Sequence, residues 1–188
     1  TDPGLGHHTP GSVPETMDVV EFRRGSGLHL VTRPVPPVGE EQVLIRVALA
    51  GVCGSDLHIL QGTSRYADRV VLGHEVVGHV AACGPVRDSS SPFKFAVGDR
   101  VTLEPQFACG RCPRCRRGQS NFCDGVGDGR GGVGSGGGYG STIGYFRDGC
   151  FARYCVAHAS QVHAVPPELP LEAAVFCEPF NCIMNGWK

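Results

Sequence analysis

From Met17 onward the apolar positions fall into short β-type runs: Met17-Asp-Val-Val-Glu-Phe22, Leu28-His-Leu-Val-Thr32 and Gln42-Val-Leu-Ile-Arg-Val-Ala-Leu49. Short alternating or continuous runs rich in β-branched residues read as strands buried on one face or on both. Turn material separates them, Gly25-Ser-Gly27 after the first and Pro34-Val-Pro-Pro37 after the second. The same texture predicts strands over residues 75–82, 100–103, 151–156 and 161–165. Only two stretches carry a helical pattern, one from Asp56 to Gln61 and a better one from Leu171 onward that is still running at Lys188. The pattern predicts a mainly β, antiparallel, barrel-like domain.

Composition narrows the class. The chain has 188 residues, 41% hydrophobic and 19% charged, enough to bury a core and too apolar for a disordered tail. No apolar run approaches the roughly eighteen residues of a membrane span. With 17 Lys+Arg against 18 Asp+Glu the net charge is −1, which argues against nucleic acid as a partner, although Arg111, Arg114, Arg116 and Arg117 form one local basic cluster. Residues 1–16, rich in Pro and Gly with His7 and His8, lack the features of a targeting signal and read as a flexible leader, trimmed since no initiator Met is present.

The ten cysteines are unevenly spread. Cys109, Cys112, Cys115 and Cys123 form a C-x-x-C-x-x-C cluster with a fourth thiol shortly after, bounded by Gly110, Pro113 and Gly118. Such spacing lets tight turns place sulfurs at about 2.3 Å from one zinc ion, and four thiolates fill its tetrahedron, so the site is expected to be structural. Two disulfides or buried thiols are the bland alternatives. Clustered thiols also point to the cytoplasm or another reducing compartment. The arginines between them read as a solvated surface that offsets an anionic centre.

Residues 125–144 form a glycine-rich loop that contains two formal matches to G-x-G-x-x-G, at Gly127/Gly129/Gly132 and Gly132/Gly134/Gly137. A dinucleotide fingerprint joins a buried strand to a helix N-terminus. This tract follows a cysteine cluster and precedes no amphipathic helix, so a surface loop is the better reading.

A second set of metal-binding types is dispersed: Gly51-Val-Cys53-Gly-Ser55-Asp56-Leu-His58, then Gly73-His74-Glu75-Val-Val-Gly78, then Cys177-Glu178-Pro179. His74-Glu75 does not open an H-E-x-x-H metalloprotease helix, because Gly78 stands at the second His and Val76-Val77 favours a strand. One thiolate, one imidazole and carboxylates suit zinc with three protein ligands and an open position. Taken singly, Cys53 reads as buried filler and His74 as a satisfied core histidine.

Together these motifs, with Val97-Gly-Asp-Arg-Val101, the four-cysteine lobe and Gly149-Cys-Phe-Ala-Arg-Tyr154, resemble the zinc-dependent medium-chain dehydrogenases, most closely the sorbitol, threonine and butanediol dehydrogenases. The resemblance covers residues 17–188 in order. It implies a GroES-like catalytic domain over 17–177 with a structural zinc lobe at 105–124, and residues 178–188 as the start of a helix leading to a Rossmann domain for NAD or NADP, absent from this chain. It implies two zinc ions. Cys53, His74 and Glu178 stand at the catalytic zinc ligands, with Glu75 beside the ion as ligand or exchange partner, and Cys109, Cys112, Cys115 and Cys123 at the structural zinc. Asp56 stands at the carboxylate that orients His74, Ser55 and His58 at the proton relay.

The expected activity is oxidation of a primary or secondary alcohol or polyol to a carbonyl, by an enzyme expected to be an oligomer. These residues alone, without the Rossmann domain, are expected to be inactive. The alternative is a non-catalytic, zinc-stabilised structural or interaction module. Three departures stand out: Ile59 where sorbitol dehydrogenases carry an aromatic substrate contact, a longer glycine tract, and Cys150 and Arg153 where a Gly and an acid are commoner.

Overall fold

The computed structural model describes residues 12–64, 66–86, 94–110, 112–123 and 142–186. Most of the leader and of the glycine-rich loop, together with Arg111 and the last two residues, lies outside them. The strands are β1 (Thr16–Arg23), β2 (Gly27–Pro34), β3 (Gln42–Gly51), β4 (Arg69–Val71), β5 (Glu75–Cys83), β6 (Arg100–Leu103), β7 (Tyr154–His158) and β8 (Val162–Ala164). The helices are α1 (Gly54–Leu60), α2 (Pro113–Arg116), α3 (Leu171–Ala174) and α4 (Cys177–Gly186). Two antiparallel sheets result, β2-β1-β4 and β7-β3-β5-β6-β8. They meet where Val20 N–H donates to the Phe151 carbonyl at 2.8 Å and Val19 bridges Ala152. The expected mainly β, GroES-like barrel is present.

The larger core lies inside the five-stranded sheet, where Val43, Ile45, Val76, Val80, Val101 and Leu103 point to one side. Alternation places them there, since side chains two apart share a face. Phe22 closes a second core with Ile59, Tyr66, Val70 and Leu72, its ring edge-on to Tyr66 at 5.0 Å. Outside the five-stranded sheet, Val77 and Val165 pack against Ala174 of α3. Among the described residues no helix is long and apolar enough to cross a membrane.

Three strands differ from the sequence expectation, and the helix expected from Leu171 onward is broken at residues 175–176 into α3 and α4. β4 was not expected; its three residues gain strand geometry only by pairing with Glu21, Phe22 and Arg23. The expected strand at 151–156 begins at Tyr154, because the Gly149, Cys150 and Phe151 amides bond instead to the carbonyls of Val71, Gly73 and Leu72. The expected strand at 161–165 starts after a 3-10 turn, Ala159–Gln161, capped by His158.

One ion network fastens the smaller sheet. Glu21 on β1 is fully buried, and its carboxylate takes Arg23 Nε at 2.7 Å and Arg69 Nε at 2.8 Å, with Arg33 Nη1 at 3.4 Å. Strands β1, β2 and β4 thus share one buried anion. Burial pushes its pKa up, but hydrogen bonds and charge from Arg69 and Arg23 more than reverse this and hold it below the usual carboxylate value. Because the folded pKa lies below the unfolded one, the stabilisation is complete above about pH 4.5 and is lost as pH falls through the folded pKa. Glu21→Gln strands three arginines around a neutral amide and is expected to cost about 3 kcal/mol at pH 7. Urea melts between pH 3 and pH 7, on the order of the usual carboxylate range and above, should show the wild type losing stability on acidification more steeply than the variant.

Candidate functional site

The cysteine lobe follows β6. Cys112 caps α2 with its sulfur, which accepts from Cys115 N–H at 3.4 Å, and Pro113 takes the first helical position, where no amide donor is needed. Cys112 N–H points at Cys109 Sγ (3.4 Å) and Cys109 N–H at Cys123 Sγ (3.3 Å). The backbone therefore aims amides at sulfurs, the polarity that suits thiolates.

The four sulfurs lie within 4.8 Å of one another, Cys109 and Cys115 at 4.0 Å, and no described cysteine is in a disulfide. Sulfurs at about 2.3 Å from one ion stand about 3.8 Å apart, so small adjustments close this set around a metal. Burial first, and then hydrogen bonds with Cys112 and Cys123, push the Cys115 thiol up to about 12. Four sulfurs so close cannot all ionise without a cation among them, and the donor set fits zinc.

The second site lies where β3, α1 and β5 converge. Cys53 sits at the N-cap of α1, and Asp56 at the third helical position accepts its N–H at 3.0 Å. The other Asp56 oxygen takes Gly73 N–H at 3.4 Å and stands 3.8 Å from His74 Nδ1. Asp56 is 2% exposed, so one buried carboxylate fixes both the helix start and the turn that delivers His74. Gly73 turns there with φ +89° under the Phe151 ring, a space that no Cβ could share. Gly51 likewise leaves room for the Glu75 carboxylate, which a Cβ at that position would overlap.

Cys53, His74 and Glu75 have donor atoms within 4.8 Å of one another, and both His74 and Glu75 are buried. His74 Nε2 stands 3.4 Å from Ser55 Oγ. His74 Nδ1 is a buried polar atom without a hydrogen bond, facing Asp56, which is the position of an imidazole held for a metal on its other nitrogen. One thiolate, one imidazole and one carboxylate in reach of a single point fit zinc.

Glu178, expected among the ligands, stands outside that tight trio but faces it from α4. It is half-buried, and its pKa is raised by burial and by the charge of Glu75, against an opposing pull from His74. Cys182, one helical turn on, donates to Glu178 Oε1 at 3.6 Å. His58 lies one turn beyond Ser55 on α1 and is exposed.

Two residues read differently in three dimensions. Tyr145 was not singled out in the sequence, yet its ring lies 5.4 Å from that of His74, and its hydroxyl, raised by burial, is hydrogen-bonded to Ser55. No motif marks it; it follows the glycine tract as one aromatic among several. Ile59, read as a substrate-facing position, is 0% exposed and packs with Phe22, Tyr66, Val70 and Leu72, so it faces core. A separate cavity of about 470 Å³, lined by Met17, Arg33, Val35, Val71, Asp148 and Tyr154 among others, shares no residue with the site.

The barrel with its four-thiol lobe and Cys-His-Glu cleft finds its counterpart in a known family. Residues 39–167 match the alcohol dehydrogenase GroES-like domain, and the chain belongs to that family, within the zinc-dependent medium-chain dehydrogenases. It is 35% identical to sorbitol dehydrogenase of Bacillus subtilis over 90% of this chain and 44% of the relative. It is 33% identical to L-threonine 3-dehydrogenase of Pyrococcus horikoshii, over 87% of this chain and 42% of the relative. A zinc-binding dehydrogenase from Sinorhizobium meliloti, solved with NADP, superposes with a TM-score of 0.77 at 30% identity over 93% of this chain and 45% of that one. The chain spans less than half the length of these relatives.

Proposed function

We propose that this chain is the catalytic domain of a zinc-dependent alcohol or polyol dehydrogenase that oxidises CH–OH to a carbonyl, with hydride transfer to NAD or NADP bound by a dinucleotide domain elsewhere in the full-length protein. The reading rests on one observation above all: Cys53, His74 and Glu75 gather their donor atoms within 4.8 Å while Ser55 Oγ stands beside His74. Cys53, His74 and Glu178 would hold a zinc ion, with Glu75 as ligand or exchange partner, and the ion would supply Lewis-acid polarisation of an alcohol oxygen.

The chain's own residues do the rest. Asp56 fixes the His74 ring, and Ser55 would take the alcohol proton at Oγ while its own hydroxyl proton moves on towards solvent. The exposed His58, one turn along α1, passes that proton to solvent. Tyr145, hydrogen-bonded to Ser55, helps hold that hydroxyl in place. Cys109, Cys112, Cys115 and Cys123 would hold a second, structural zinc in the lobe. The clustered free thiols support a reading in the cytoplasm or another reducing compartment. A non-catalytic module would have no use for a Ser55 hydroxyl set beside a metal-binding trio.

The division of labour is tested by assaying purified residues 1–188 beside the full-length protein with a panel of primary, secondary and polyol substrates. The short chain should reduce no NAD or NADP, because nothing holds the nicotinamide against the cleft. Turnover by the short chain, or none by the zinc-loaded full-length protein on any of the panel, would overturn the reading.

A further inference from the structure

Tyr145 joins the core to the cleft. Its ring packs against the core of Phe22, Ile59, Tyr66, Val70 and Leu72 and lies 5.4 Å from the His74 ring, tilted by 51°. Its backbone is held as well: Tyr145 N–H donates to the Thr142 carbonyl at 3.3 Å, and its own carbonyl accepts from Ala67 N–H at 2.9 Å. Gly144 before it, at φ +81°, presses so closely on Gly73 that a Cβ would stand 2.7 Å from the Gly73 oxygen. Core and backbone thus fix the phenol beside the turn that carries His74. A side chain fixed in advance loses little freedom when it takes hold of a ligand.

Packing explains the ring and leaves the hydroxyl over. Tyr145 is half-buried, and burial raises its pKa while the hydrogen bond with Ser55 lowers it. A hydrogen bond that favours the phenolate is one that the phenol oxygen accepts. The phenol O–H is then left to donate, and no acceptor takes it among the described residues. We propose that Tyr145 decides which alcohols the cleft accepts: its O–H donates to a second hydroxyl of the substrate, on the carbon next to the one oxidised, so that vicinal diols and polyols are favoured over mono-alcohols. This rests on the reading of the cleft as an alcohol-oxidising site. Ser55 Oγ serves the reacting oxygen and is itself bonded to the phenol, so the Tyr145 hydroxyl stands one hydrogen bond further on, where an oxygen on the adjacent carbon falls. A mono-alcohol brings no oxygen there and leaves a half-buried donor without a partner.

The test measures kcat/KM of the zinc-loaded full-length protein, with NAD and with NADP, for pairs of substrates that share a carbon skeleton and differ by one hydroxyl: vicinal butanediol beside secondary butanol, and vicinal hexanediol beside secondary hexanol. The ratio within a pair cancels whatever Tyr145 contributes through Ser55, which both members need. Wild type should prefer each diol by about tenfold or more, the worth of one hydrogen bond. Tyr145→Phe keeps the ring and its packing, and should lower that ratio by about the same factor, mainly through a raised KM for the diol. A wild type with no preference, or a preference that survives in Tyr145→Phe while both members fall together, would overturn the role of Tyr145 and leave the dehydrogenase reading standing. A wild type that oxidises neither member of either pair would overturn that reading, and this role with it.

Discussion

Replacing Cys112 by serine is expected to release the lobe zinc and to lower the melting temperature by roughly 10 °C, about 3 kcal/mol for a chain of this size. The lobe has little else to hold it. Its helix α2 has four residues, far below the length at which a helix persists alone, and Phe122 beside the last ligand is 54% exposed. Among the described residues from 109 to 123, Cys112 and Cys123 are themselves the buried side chains, so the metal takes the place of a hydrophobic core. A closed thiolate site contributes its binding free energy to folding. Metal analysis after mild chelation should find the wild-type lobe retaining zinc and the variant losing it.

Glu178→Ala is expected to do the opposite: to leave the melting temperature nearly unchanged and to lower kcat/KM of the full-length enzyme by at least about 100-fold. Glu178 is half-buried with a raised pKa, burial being the main cause, so its ionised carboxylate costs the metal-free fold something and its removal leaves no orphan. Ser55→Ala should also impair turnover, by about 100-fold, because the alcohol proton loses its first acceptor. Melting curves beside steady-state kinetics for the three variants separate the two sites. A Glu178→Ala protein that melted as badly as Cys112→Ser and turned over normally would show that the cleft carboxylate has been misassigned.

Much of this was legible in the sequence, for reasons that differ by residue. The lobe was legible because its ligands lie within one short segment, where spacing alone constrains geometry. Strands β1, β3, β5 and β6 were legible because their apolar residues face a core. β4 was not, since three residues carry no period and pairing with Phe22 creates the strand. The start of β7 was obscured because the amides of residues 149–151 bond to the 71–73 segment, a long-range choice with no local signal.

The cleft was legible only as a combination of motifs. Its members are far apart in the chain, and a single spacing says nothing about which carboxylate stands nearer the thiol. Proximity in the fold gathers Glu75 with Cys53 and His74 and sets Glu178 across from them. Asp56 illustrates a residue with two duties: as the N3 member of a helix cap it reads as local structure, and only the fold brings its second oxygen to Gly73 and His74. Tyr145 and the burial of Ile59 lay beyond sequence reasoning altogether, since both depend on what packs beside them.

The most direct test of the central claim is the rate of alcohol-dependent NAD or NADP reduction by the full-length protein, followed through removal and return of the cleft metal. The account predicts turnover that disappears on mild chelation while the lobe keeps its zinc, returns with one equivalent of zinc, and fails to return in Cys53→Ser. Turnover that persists in the chelated protein, or that zinc restores equally well in Cys53→Ser, would contradict it.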